Sequence, residues 1–269
     1  MLKTILILTL VTLIVSSVGW KKFIYFFSLG YGYGIAAIAL TLGIIYWQVL
    51  TWSTIAILAV LFIYGVRLAT FLLVRELKSP AYVKTVSFDQ VTNDMRPTGV
   101  LFIIWISCVV LYLCQTFPVT VILQHAAEGV PAQPTWEYTG LGIAALGFLI
   151  ETIADRQKSN AKKINAKRFV DTGLYRLVRC PNYLGEILLW TGVLISGAGT
   201  MNTWWEWTVA LLGYIGITYV MFSGARRLEL RQDHNYGNDA EYQAYKKRVP
   251  ILLPFIPLYS VKDYTWLKG

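Results

Sequence analysis

The chain has 269 residues, 56% hydrophobic and only 14% charged, with a positive mean hydropathy. It is too apolar for one soluble domain and too long for a simple anchor. The net charge of +9 would suit nucleic acid, but the basic residues lie between apolar runs. The charge is therefore topological, and a nucleic-acid partner is not expected.

A spanning helix needs roughly 20 mostly apolar residues. Seven stretches meet that need, at about 2–19, 23–49, 53–74, 99–123, 138–154, 183–200 and 205–225. The first is short and carries Lys3, as a signal peptide does, but Val18-Gly19-Trp20-Lys21 is a poor cleavage site, so we expect a retained helix. In the second, Gly30, Gly32 and Gly34 form GYGYG, which is not the dinucleotide fingerprint and follows no strand. Close helix packing is the better reading. The third carries Tyr64 and Arg67, spaced i, i+3 and able to share an inward face. The fourth holds Cys108 and Cys114, and His125 follows it. There is no CxxC and no Cys/His ligand spacing, so neither a disulfide framework nor a metal site is expected. His125 and His234 read as loop residues.

The fifth stretch ends on Glu151 and Asp155, spaced i, i+4 on one face. A basic connection follows, with Arg156, Lys158, Lys162, Lys163, Lys167, Arg168, Arg176 and Arg179. It leads into Gly173–Glu186, GLYRLVRCPNYLGE, which sets Asn182 and Glu186 on one face at the mouth of the sixth stretch. A carboxylate at such a mouth is costly without a partner, so it marks a site by default. Glu206 in WWEW, at the opposite interface, is expected to be solvated. The tail from about residue 226 contains Leu228-Glu229 and EYQAYKKRVPILLPFIP at Glu241–Pro257. Its mixture of bases and aromatics suits either adhesion to anionic lipid or closure of a pocket.

Lys and Arg fix the orientation. They gather after the first, third, fifth and seventh stretches, including Lys84 and Arg96, while the connections at about 50–52, 124–137 and 201–204 have none. The positive-inside rule puts the N-terminus outside and the C-terminus in the cytoplasm. Ten Trp and seventeen Tyr fit two aromatic belts. No repeat or low-complexity linker appears. We expect an all-α, polytopic bundle of seven transmembrane helices, one membrane domain over 1–269, and a monomer.

The acids, Asn182 and the arginines read either as a salt-bridged helix cap or as a polar pocket. Such a pocket suits a ligand with phosphates, which arginine binds bidentately, and a carboxamide, which Asn and Glu can pair.

These residues resemble the steroid 5-alpha-reductase C-terminal family, particularly its bacterial seven-helix branch, over about 60–257. Glu151–Asp155, GLYRLVRCPNYLGE, Leu228-Glu229 and YxxYKKRVP…FIP carry the likeness. The resemblance implies NADPH-dependent reduction of an enone carbon–carbon double bond in a lipophilic, steroid- or isoprenoid-like substrate from the bilayer. It implies an integral protein of the plasma membrane, in contact with membrane lipids. By motif, Asn182 and Glu186 look like nicotinamide carboxamide contacts, Asp155 like a ribose or adenosine contact, and Arg168 and Arg179 like phosphate ligands. Arg75, with Lys78 beside it, falls where the family touches the cofactor. Tyr64 falls where the family polarises the carbonyl. Two positions depart from the pattern: Cys180 stands where the bacterial branch usually has His, and the second stretch lacks the Gln-Glu pair of the steroid enzymes.

The runner-up is a resemblance to the isoprenylcysteine carboxyl methyltransferases, which use S-adenosylmethionine. They share the helix arrangement and the tail, but Glu186 and the Glu151–Asp155 pair argue against them. A transporter would show repeats and midplane polar groups, whereas here the polar residues gather at one side.

Overall fold

The structure is a computed structural model that describes residues 1–78 and 97–268. Lys84 and Arg96, on which part of the orientation argument rests, lie outside the described residues. Among the described residues all regular structure is helical. The elements are α1 (Leu2–Ser16), a short α2 (Ile24–Phe27), α3 (Leu29–Ile45), α4 (Trp52–Lys78), α5 (Thr98–Ala127), α6 (Pro134–Ile164), α7 (Pro181–Gly197), α8 (Trp204–Tyr236) and α9 (Ala240–Arg248).

Each of the seven apolar stretches is helical. Five have the length and composition to cross a membrane: α1 with its following turn, α4, α5, α6 and α8. The helices α3 and α7 have 17 residues each, about 26 Å at 1.5 Å per residue, against a hydrocarbon core of about 30 Å. Other helices outrun their apolar stretches. The segment Arg226–Tyr236, expected to begin a tail, continues α8 to a length of 33 residues. Its first part, Arg226–Gln232, is built from good helix formers, and it meets no Gly or Pro before Gly237.

Contacts divide the chain into two compact units, Met1–Leu141 with Val193–Tyr214, and Gly142–Gly192 with Ile215–Gly269. In the first, the glycines of GYGYG do pack helices. A Cβ on Gly32 would lie 2.6 Å from the Gly65 carbonyl oxygen, and one on Gly65 would lie 2.9 Å from the Ala36 nitrogen. The helices α3 and α4 therefore cross backbone to backbone. The same unit buries Glu206, contrary to expectation, at 1% exposure. Its carboxylate accepts from the Asn202 and Thr203 N–H groups, both at 2.9 Å, and so caps the start of α8. Nor is His125 a loop residue: it lies in the last turn of α5, with Nε2 3.0 Å from Glu206. His234 likewise lies in the last turn of α8.

In the second unit, α6 and α7 meet through Gly147 and Gly185. A Cβ on Gly185 would lie 2.6 Å from the Glu151 nitrogen and 2.7 Å from the Gly147 carbonyl oxygen. The glycine of NYLGE is thus the contact that lays α7 on the acidic end of α6. Gly185→Val is expected to cost at least ~1–3 kcal/mol through overpacking. Gly142→Ala, with nothing within 4 Å of its Cβ, is expected to be neutral or slightly stabilising. Thermal melts of the two variants in one detergent check the contrast, and equal melting temperatures would refute it.

Candidate functional site

The crossing at Gly185 brings together the two polar pairs read from the sequence. Glu151 and Asp155 are buried on α6, and Glu186 is buried one turn into α7. Pro181 opens α7 at the position where its missing N–H costs nothing. Asn182 follows in the first turn. Its Oδ1 is shut from solvent and accepts no hydrogen bond among the described residues.

Arg179, two residues before α7, has 1% exposure. Its Nη2 lies 3.0 Å from Glu229 Oε1 and also donates to the Tyr259 carbonyl. Glu229, fully buried on α8, takes a second cation, Lys246 of α9, at 3.0 Å, and accepts the Val261 N–H at 2.9 Å. Lys246 continues to Asp233 at 2.6 Å, and Asp233 accepts the Tyr242 hydroxyl at 2.9 Å. Two buried charges are favourable only when nearly every lone pair and proton is used. Glu229 meets that condition. Arg179 does not, because its Nε and Nη1 are buried without a hydrogen-bond partner among the described residues. So Arg179, expected as a phosphate ligand, is an ion-pair partner with two nitrogens, carrying three N–H groups, to spare.

Arg168 sits differently. It is exposed, with Nη1 2.6 Å from Glu241 and Nη2 3.1 Å from Asp171, and lies over the Phe169 ring. Exposed pairs of this kind are weak and exchange readily for a better anion. Cys180 is buried with its thiol pushed up to about 12, by burial first, with Arg179 and Lys158 pulling the other way. The thiol is neutral at every physiological pH. Its backbone N–H donates to the Ile251 carbonyl at 2.9 Å, beside Arg179 N–H to Pro250 at 2.9 Å. Burial also raises Tyr245, whose hydroxyl donates to the Tyr175 carbonyl at 2.7 Å.

Tyr64, Arg75 and Lys78 belong to the first unit. Tyr64 is fully buried, and its hydroxyl donates to that of Tyr31 at 3.1 Å. Tyr31 in turn packs on Tyr112 with ring centroids 5.1 Å apart. Arg75 is exposed over the Phe71 ring, and Lys78 is exposed. Between them on α4 is Glu76, which is buried and receives Lys22 at 2.5 Å and the Tyr25 hydroxyl at 2.8 Å. Sequence reasoning missed Glu76, Tyr31 and the Glu229–Lys246–Asp233 chain. A lone acid in the last turns of an apolar helix was the available signal for Glu76 and Glu229. Tyr31, inside GYGYG, carried none.

Five helices of membrane-crossing length and composition are consistent with an integral membrane protein. The chain belongs to the DUF1295 family of proteins of unknown function, which it matches over residues 19–249. It is also similar to an uncharacterized protein of Schizosaccharomyces pombe (strain 972), 30% identical over 114 residues. That match spans 35% of this chain and 32% of the relative, so the chain covers about a third of the relative's length. No solved structure matches it.

Two outcomes follow from the buried network. Glu229→Gln leaves Arg179 a buried cation with only neutral oxygens to accept from it and is expected to cost ~3–5 kcal/mol. Arg179→Met costs less, since Glu229 keeps Lys246 and the Val261 N–H. Chemical denaturation of both variants tests the order, and the reverse order would refute it. Cys180 should also resist alkylation at pH 8 in the folded protein, because its thiolate forms only as pH rises towards about 12. It should react once the chain is unfolded. Peptide mass spectrometry reads both states, and rapid native labelling would contradict the burial.

Proposed function

We propose that the chain is a membrane-embedded, NADPH-dependent reductase of an enone-type carbon–carbon double bond in a lipophilic substrate. Seven membrane helices, with the N-terminus outside and the C-terminus in the cytoplasm, form part of the reading, as does a place in the plasma (inner) membrane if the cell is bacterial. One observation carries it. Arg179 Nε and Nη1 and Asn182 Oδ1 are buried polar atoms without partners among the described residues, at the mouth of a helix that also holds Glu186. Buried polar groups are nearly always satisfied, so each orphan asks for an explanation. Two guanidinium donors suit phosphate oxygens. An amide oxygen beside a carboxylate suits a carboxamide NH2. The donor set therefore fits a nicotinamide dinucleotide. The likeness to the steroid 5-alpha-reductase family points to the same group.

In this reading Asn182 and Glu186 hold the carboxamide and orient the nicotinamide. Asp155 holds the ribose or adenosine side. Arg179 supplies fixed donors to a phosphate, and Arg168 exchanges Glu241 and Asp171 for another. Arg75 and Lys78, in the first unit, are assigned to the cofactor by the resemblance alone. When bound, NADPH supplies the hydride. Tyr64 is assigned to the substrate carbonyl. To polarise it, the Tyr64 proton turns to the carbonyl oxygen, and Tyr31 becomes the donor into the Tyr64 hydroxyl. A phenol held at 3.1 Å on α3 thus serves where α3 has no acid. The substrate enters from the bilayer.

Titration of purified protein with NADPH tests the reading. Glu186→Gln is expected to weaken binding about tenfold to a hundredfold, the loss of one charge-assisted hydrogen bond. Tyr64→Phe should leave cofactor affinity unchanged and lower turnover of an enone about a hundredfold or more. Binding of S-adenosylmethionine but not NADPH would overturn the reductase in favour of a methyltransferase. Activity confined to polar enones would count against bilayer entry.

A further inference from the structure

The chain segment after α9 makes a loop that the proposed chemistry does not use. At its tip Phe255 is 99% exposed, Ile256 is 50% exposed, and Leu177 from the turn before α7 is 57% exposed beside them. These side chains line a shallow cleft with Arg176, Pro254 and Tyr259. Phe255 also has φ of 66°, the left-handed region that a bulky residue rarely adopts. Such a conformation persists only where the surroundings impose it. They do so here, since the Ile251 N–H donates to the Leu258 carbonyl at 2.8 Å and Leu258 N–H to Ile256 at 2.7 Å. Pro254 and Pro257 flank the tip. The loop is therefore a stiff structure that holds an aromatic side chain outward, away from the rest of its unit.

Its base is fixed to the mouth of α7. Arg179 N–H and Cys180 N–H donate to Pro250 and Ile251, and the Arg179 guanidinium donates to the Tyr259 carbonyl. The tip therefore lies close to the end of an apolar helix. Arg176 is the charged residue that lines the cleft, and the loop itself brings no acid to it. Arg176, Lys247 and Arg248 are exposed, and 249–261 contains no acid. A large exposed apolar group rimmed by bases marks a membrane-surface contact in a chain that already lies in a bilayer.

We propose that the loop Leu253–Tyr259 is an interfacial anchor, with Phe255 and Ile256 seated at the boundary of headgroups and acyl chains and Arg176 on the phosphate of an anionic phospholipid. The proposal rests on the membrane-spanning reading of the long helices but not on the reductase. It gives the aromatic and basic residues of the tail the lipid-facing role, while the buried side of the tail braces the helix mouth.

The test uses the full chain in nanodiscs, with the native cysteines replaced and a nitroxide placed at Phe255→Cys. Discs of phosphatidylcholine with phosphatidylglycerol are compared with discs of phosphatidylcholine alone. The expected result is collisional access to oxygen several-fold above access to a water-soluble nickel chelate. Arg176→Gln should lower that ratio in the anionic discs and leave it unchanged in the neutral ones. Arg176 is exposed, so the variant folds, and the melt of the labelled protein verifies that it does. A label reached mainly by the nickel chelate overturns the anchor. Spin–spin broadening that vanishes on dilution with unlabelled chain assigns the tip to a second copy and also overturns it. A buried label indifferent to both lipid charge and Arg176 refutes the assignment of an anionic lipid.

Discussion

The second unit depends on one buried charge pair, Arg179 with Glu229. Both side chains are almost fully enclosed, where desolvation opposes ionisation and each charge needs the other. The pair joins three chain segments far apart in sequence: the turn before α7, the C-terminal half of α8, and the chain after α9. Lys246 and Asp233 extend it, and Tyr259 and Val261 close it through backbone groups. Through it the chain after α9 is tied to the turn that leads into α7. Its incomplete satisfaction on the arginine side is equally telling. The fold encloses a guanidinium at a considerable desolvation cost and then leaves two of its nitrogens unused.

Glycine provides the complementary constraint. The α6–α7 crossing at Gly147 and Gly185 lets two backbones approach as no side chain would allow. It sets the acids of α6 beside the amide and acid of α7. The α3–α4 crossing at Gly32 and Gly65 does the same in the first unit, next to Tyr31 and Tyr64. In each unit the polar residues of interest flank a glycine contact. Close approach is also what shields them from water and raises the cost of any unpaired group.

Much of this was legible in the sequence for a simple reason. Helix periodicity and apolar run length are local properties, so the helical segments and the shared faces of Glu151 with Asp155 and Asn182 with Glu186 could be read directly. The packing role of GYGYG was legible too, because glycine in an apolar helix has few other uses. Long-range pairing was not. Nothing local links Arg179 to Glu229 or Lys246, fifty and more residues away, and Arg168 and Arg179 look alike in sequence while one is exposed and the other enclosed. Helix ends were also misplaced, since Arg226–Gln232 is charged yet helix-forming and no Gly or Pro stops the helix before Gly237. Glu206 looked solvated because its neighbours are interfacial tryptophans, whereas backbone donors and His125 enclose it.

Cys180 shows how a departure from a family pattern acquires a physical meaning. A histidine at that position would bring a ring that donates and accepts. The residue present here acts otherwise. Its N–H holds Ile251, and its side chain fills a buried space as a neutral thiol. The polar contacts of this turn are made by the adjacent Arg179, which pairs with Glu229 and keeps two further nitrogens buried. A small, neutral side chain at 180 adds no second charged donor next to that residue. The cysteine thus adds no group that titrates near neutral pH beside the Arg179–Glu229 pair, as a histidine would.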